Sequence, residues 1–309
     1  MIVNIITIHF VVEFIMSEIR IDALLPQEMA TRAEYLGVRK AEMPFLKMFM
    51  LAVLAGGFIS LGAIFATTVS AGSMPVTAPD GTVVFTTGLP YGVVRLLTGF
   101  VFSLGLILVV VGGAELFTGN NLIVMAWASG KVTAGALLRN WAIVYLGNFI
   151  GSIGTAVLMF FTKQYTFGSN AVGIAALKIG VAKCDLTFIQ ALALGILCNV
   201  LVCLAVWMTF SARSSMDKIL AIIFPITAFV AAGFEHSIAN MYFVPYALFI
   251  KIFDTGFAAS IADKVPHLEK LTWQAFINNL IPVTIGNIIG GAVLVAAVYW
   301  AIFLRKTES

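Results

Sequence analysis

From Phe45 onward the chain alternates long apolar runs with short polar connections. Runs of membrane-spanning length cover Phe45–Val69, Val93–Ala128, Ala136–Phe161, Phe188–Phe210, Ile219–Ile252 and Trp273–Phe303. A straight transmembrane helix needs about 20 apolar residues. The second and fifth runs exceed that, so each reads as a helix broken into two half-helices. Ahead of the first run, Leu24–Gly37 mixes apolar and charged positions at helical spacing, which predicts an amphipathic surface helix. The expected class is an all-α integral membrane protein with six transmembrane helices.

The two long runs carry nearly the same phrase. G-A-E-L-F-T-G-N (Gly113–Asn120) and G-F-E-H-S-I-A-N (Gly233–Asn240) both read G-x-E-x-x-x-small-N. A second pair, G-N-F-I-G (Gly147–Gly151) and G-N-I-I-G (Gly286–Gly290), falls in the third and sixth runs. Two motif pairs in the same order make chance a poor account. With three spans per half, the second half enters the membrane from the opposite side, giving an inverted 3+3 repeat with the substrate path where the repeats meet. The organisation is then a first repeat over 45–162, a connecting loop over 163–186, a second repeat over 187–304 and a tail over 305–309. The stretch Ser70–Gly92, with A-P-D-G-T inside it, predicts a surface hairpin.

Unwound backbone at membrane depth survives only where protein or a wet cavity satisfies it. Glu115 and Glu235 are placed to accept hydrogen bonds from N–H groups freed at the breaks, a supporting rather than a transport role. Asn120 and Asn240 can donate and accept. Half-helix N-termini would favour an anionic substrate. The glycines of the G-N-x-x-G pairs share a helix face and predict close packing, while Asn148 and Asn287 could hydrogen-bond across the bundle. His236 breaks the symmetry, since Leu116 holds its place in the first half. An ionisable group inside a membrane is a functional candidate by default. Thr118 offers a hydroxyl from the facing repeat, so the two could flank one small ligand.

Composition agrees with the pattern. Of 309 residues, 61% are hydrophobic and 11% charged, against about 25% charged in soluble domains. The net charge of +3, without a basic run, argues against nucleic-acid binding. The three cysteines and three histidines show no disulfide framework and no metal-ligand spacing. Phosphate-binding loops, nucleophile elbows and dinucleotide fingerprints are missing, so no enzyme and no cofactor is expected, and transport would be passive or proton-coupled. Lys and Arg are modestly biased toward the side holding both termini, which predicts cytoplasmic ends. Residues 1–15 are apolar but too short to span, and the chain from Met16 reads like an ordinary start.

G-A-E-L-F-T-G-N, G-N-F-I-G, C-L-A-V-W-M, G-F-E-H-S-I-A-N-M and N-L-I-P-V-T-I-G-N-I-I-G-G together resemble the formate/nitrite transporter family, from about Leu24 to Leu304. The resemblance implies an aquaporin-like protomer in a homopentamer of the bacterial inner membrane, each protomer with its own path for formate. It implies a central His236 and Thr118, pathway positions at Asn199 and Asn240, and an anion-attracting Lys183. Apolar constrictions would be formed by Phe102, Leu106, Leu116, Phe117, Val202 and Phe229. Two departures stand out: Cys184-Asp185 follows Lys183 where two histidines are usual, and Gly119 replaces a serine. Asp185 would weaken the local pull on anions, and the F-T-G form also occurs in nitrite channels of the family, so nitrite or hydrosulfide is the alternative cargo. An aquaporin-type pore would need paired N-P-A turns, which do not occur.

Overall fold

A computed structural model describes residues 23–72 and 89–305, together with 76–78, Asp80 and 83–85 of the intervening loop. The expectations for residues 1–15 lie outside the described residues. Helix α1 (Pro26–Ala41) opens the description and leads into α2 (Phe45–Ala71). A short antiparallel pair, β1 (Val76–Thr77) with β2 (Val83–Phe85), falls in the predicted hairpin. Then come α3 (Tyr91–Gly112), a 3-10 turn (Gly119–Ile123), α4 (Val124–Ala128) and α5 (Ala134–Phe161). The second half runs α6 (Ala171–Cys184), α7 (Phe188–Ser211), α8 (Ser215–Ala232), α9 (Ser237–Phe253), the short α10 (Thr255–Ser260) and α11 (Trp273–Phe303). Six of these helices (α2, α3, α5, α7, α8, α11) are long and apolar enough to cross a membrane. The last contains a π-helical stretch over Ile289–Ala297 that the apolar pattern did not signal.

Both expected breaks are present, and both are built the same way. Helix α3 ends at Gly113 (φ 78°), where Ala114 N–H returns to the Val109 carbonyl at 2.9 Å. Helix α8 ends at Gly233 (φ 79°), where Phe234 N–H returns to the Phe229 carbonyl at 3.0 Å. A left-handed residue after a helix is most cheaply supplied by glycine, which explains why the two phrases begin alike. Beyond the breaks the halves diverge. The second resumes as a regular 17-residue helix, α9, whereas the first passes through a 3-10 turn into the five-residue α4. Only α9 therefore aims a full α-helical N-terminus at the centre, where two had been expected.

Two further segments depart from expectation. Residues 163–186 are no simple loop: the apolar stretch Ala171–Cys184 folds as α6 and packs on α9 and α2. Fourteen residues are too few to span a bilayer but enough for a helix seated on the bundle. Helix α1 is amphipathic, yet it buries Met29, Ala30, Ala33 and Gly37 against the break region of the first repeat. A Cβ on Gly37 would meet Ala126 Cβ at 3.0 Å, so that approach is as tight as glycine allows.

The repeats lock through their glycines. A Cβ on Gly151 would strike the Val53 carbonyl, and one on Gly290 the Ile196 carbonyl. Helices α5 and α2, and their counterparts α11 and α7, pack backbone to backbone there, the small-residue contact expected of membrane helices.

Candidate functional site

The freed backbone groups at the breaks are satisfied by the asparagines of the G-N-x-x-G pairs. Asn148 accepts from Phe117 N–H at 2.9 Å and donates to the Ala52 and Glu115 carbonyls at 2.7 and 2.9 Å. Asn287 accepts from Ser237 N–H at 2.9 Å and donates to the Gly195 and Glu235 carbonyls at 2.8 and 3.0 Å. Both are fully buried. They tie each break to the first helix of its own half rather than merely joining helices across the bundle. A planar amide can do this because it offers an acceptor and two donors in one group.

The two glutamates do something else. Glu115 accepts from Lys40 Nζ at 2.7 Å and Asn120 Nδ2 at 2.7 Å, and Asn120 also donates to Asn140 Oδ1 at 2.9 Å. Glu235 accepts from Lys183 Nζ at 2.8 Å and Asn240 Nδ2 at 2.6 Å, and Asn240 also donates to Asn279 Oδ1 at 2.8 Å. The expectation that these carboxylates hold freed backbone N–H groups is therefore corrected: a buried charge needs a counter-charge, and a lysine supplies it. The symmetry extends further, because Asn140 donates to the Lys40 carbonyl at 3.0 Å and Asn279 to the Lys183 carbonyl at 2.9 Å.

Sequence reading missed Lys40, Asn140 and Asn279. The two asparagines were legible, since each lies eight residues before the amide of its G-N-x-x-G motif. Lys40 was harder to find. It precedes its glutamate by 75 residues and Lys183 by only 52, because the hairpin loop lengthens the first half.

Two cavities approach the centre from opposite ends. The first, about 320 Å³, is walled by α1 and lined by Arg32, Lys40, Leu106, Glu115, Leu116, Gly119, Val206 and Lys218. The second, about 270 Å³, is lined by Arg95, Phe102, Lys183, Leu194, Phe229, Glu235, His236 and Phe243. In each, basic side chains outnumber the single carboxylate. Leu106 and Leu116 are buried at the first, Phe102 and Phe229 at the second, and the two phenyl rings meet edge-on at 5.6 Å. Val202 is fully buried on α7, between Leu194 of the second cavity and Val206 of the first.

His236 caps α9. Its Nδ1 accepts the Ala239 N–H at 3.1 Å, which turns Nε2 toward Thr118 Oγ1 at 3.0 Å. With Nδ1 occupied as an acceptor, the neutral ring carries its proton on Nε2 and donates to the threonine oxygen. Both residues are buried, and the Phe229 ring lies over the imidazole with centroids 6.0 Å apart. The arrangement presents a hydrogen-bonding dyad on the wall of the second cavity, with Leu106 and Leu116 at the first.

Three expected pathway residues sit elsewhere. Phe117 turns into a groove between α5 and α11, edge-on to Tyr145 at 4.9 Å and Trp141 at 6.0 Å. Its backbone N–H is held by Asn148, which aims the side chain away from Leu116 and out of both cavities. Asn240 is buried behind Glu235 instead of lining the second cavity. Asn199 binds the carbonyls of Thr118 and Asn287 at 3.3 and 2.6 Å, fastening α7 to the centre. Asp185 pairs with Lys270 outside the second cavity, and this partner holds its carboxyl below the usual range. The expected weakening of anion attraction is thus offset by the cation that pairs with Asp185. Gly119 faces the first cavity, where an added Cβ would make ordinary contact with Val206 at 3.6 Å. Among the described residues, no group of three or more His, Cys, Asp or Glu side chains could hold a metal ion.

Residues 27–301 match the family model described as formate/nitrite transporter. The formate channel FocA of Escherichia coli strain K12 is 45% identical over 289 residues, covering 93% of this chain and 97% of its own length. The Haemophilus influenzae channel of the same name is 39% identical, covering 93% and 96%. A solved pentameric formate channel with formate bound superposes with a TM-score of 0.75 at 47% identity, covering 84% of this chain and 98% of the other. The broken-helix repeats, the paired cavities and these likenesses agree: this multi-pass membrane protein belongs to the formate/nitrite transporter family.

Proposed function

We propose that the chain is a formate channel of a bacterial inner membrane, assembled as a homopentamer with one path per protomer. The α1 side faces the cytoplasm in this reading, as the Lys and Arg bias along the chain favours. The observation that carries the proposal is the buried Thr118–His236 contact at 3.0 Å, whose histidine lines the second of two cavities in which basic groups outnumber carboxylates. With Lys40 and Lys183 paired to the glutamates, the further cations Arg32 and Lys218 on one side and Arg95 on the other leave each cavity positive, which raises the local concentration of a small anion. Leu106, Leu116 and Val202, with Phe102 and Phe229, form the apolar constrictions around the dyad.

Formate is a weak acid with a pKa near ~4, like a side-chain carboxyl. Carrying it as an ion through an apolar constriction is far costlier than carrying neutral formic acid. The anion accepts a hydrogen bond from the dyad and takes a proton from the doubly protonated His236 ring, which returns to its neutral form and is reprotonated from cavity water, and the neutral acid crosses. His236 is the titratable group at that point. A second proton on its ring requires Nδ1 to release the Ala239 N–H, so proton delivery is coupled to the cap of α9. The test is flux of formate and nitrite into liposomes holding the purified protein, under an imposed pH gradient. Formate flux that rises toward low pH supports the reading; nitrite flux without formate flux would transfer it to the alternative cargo.

A further inference from the structure

The carbonyl end of α8 is treated unlike that of α3. Arg95, half-buried in the first turns of α3, donates from Nε to the Ala231 carbonyl at 3.0 Å and from Nη2 to the Val230 carbonyl. Among the described residues, no side chain donates to the matching carbonyls of α3, those of Val110 and Val111. Arg95, Val230 and Gly233 all line the second cavity. A helix C-terminus carries the equivalent of about half a negative charge. The Gly233 N–H reaches the Val230 carbonyl at 3.1 Å but brings no charge, so without Arg95 the end of α8 would put its negative dipole on the wall of a cavity of about 270 Å³ that the reading above assigns to an anion. The guanidinium covers the carbonyls and replaces a repulsive wall with an attractive one. Its fork geometry lets one side chain reach two successive carbonyls.

We propose that Arg95 is a positioning residue that sets anion affinity in the second cavity, by fixing and neutralising the carbonyl end of α8 beside Lys183. This rests on the anion-channel reading above. It predicts an effect confined to one face of the membrane, because the first cavity has its own cations.

The experiment compares wild type, Arg95→Lys and Arg95→Gln in right-side-out and inside-out vesicles, recording initial formate flux against formate concentration. Glutamine keeps a donor for the carbonyls without the charge; lysine keeps the charge. Expected is a rise of at least threefold in the half-saturating formate concentration for Arg95→Gln from the Lys183 face. The other face should be unchanged, and Arg95→Lys should stay within twofold of wild type. Detergent-solubilised Arg95→Gln should keep the wild-type assembly size and melting temperature. Half-saturation unchanged at both faces, or an equal fall in maximal flux from both faces with a lowered melting temperature, overturns the proposal and leaves Arg95 a structural cap. Wild-type vesicles that carry no formate overturn the channel reading and this inference together.

Discussion

Thr118 Oγ1 and His236 Nε2 lie 3.0 Å apart although 118 residues separate them in the chain. The contact joins the two repeats where the cavities converge. Replacing His236 with Phe removes the titratable group and the cap on Ala239. Formate uptake by proteoliposomes should then lose its dependence on pH; uptake that still rises as the pH falls would refute the proposed role. Thr118→Val keeps the shape and removes the hydroxyl. A lost hydrogen bond to a charged group is worth about 1.5–3 kcal/mol, so flux at limiting formate should fall about tenfold or more.

Asn148 and Asn287 each satisfy two backbone groups at a break and donate to a third on the first helix of the same half. Leucine in either place strands the two groups at the break, at about 1–3 kcal/mol for each one left unsatisfied. Asn148→Leu and Asn287→Leu should both lower the melting temperature of the detergent-purified protein clearly, and by similar amounts. Asn199→Leu should cost less, because Asn199 donates to two carbonyls and its oxygen accepts only a weak thiol contact from Cys203 at 3.9 Å.

The two lysine–glutamate pairs differ in burial. Lys183 is 13% exposed against 31% for Lys40, while both glutamates are nearly buried. Removing one partner of a buried pair costs about 3–5 kcal/mol, and less where water reaches the remaining charge. Lys183→Met should therefore lower thermal stability more than Lys40→Met. Adding Glu235→Gln to Lys183→Met should restore part of the loss, which thermal unfolding of the single and double variants would measure.

Lys163, Tyr165 and Asp254 form a cluster outside the spanning helices. Asp254 accepts from Tyr165 at 2.6 Å and from Lys163 at 2.9 Å, and these donors, Tyr165 foremost, lower its pKa to about 2. Its folded pKa lies below the unfolded value of about 3.9. The stabilisation is thus complete above pH ~4 and lost as the pH falls toward 2. Asp254→Asn should melt below wild type at pH 7, with the gap narrowing at pH 3.

Much of the fold was legible because the bilayer makes strong demands. Apolar runs of fixed length mark the spans, and glycines mark the breaks, since only a residue that tolerates positive φ ends α3 and α8 in the same way. The repeated phrases exposed the inverted symmetry. Helix α6 was missed because 14 apolar residues satisfy neither the length rule for a span nor the polarity expected of a loop. Lys40 was missed because the inserted hairpin displaces it from the register its counterpart keeps.

Sequence alone therefore determined the six spans, the two breaks and the residues gathered near them, because hydrophobic length and backbone conformation are local properties. Tertiary structure decided what those residues touch. Side-chain direction follows a helical period only while the helix continues, and at both breaks that period stops. Phe117 turned into the groove between α5 and α11, and the glutamates took lysines where backbone had been expected. His236 met Thr118 only because its other nitrogen was committed to Ala239. Each of these contacts depends on a partner distant in the chain, and packing alone brings it near.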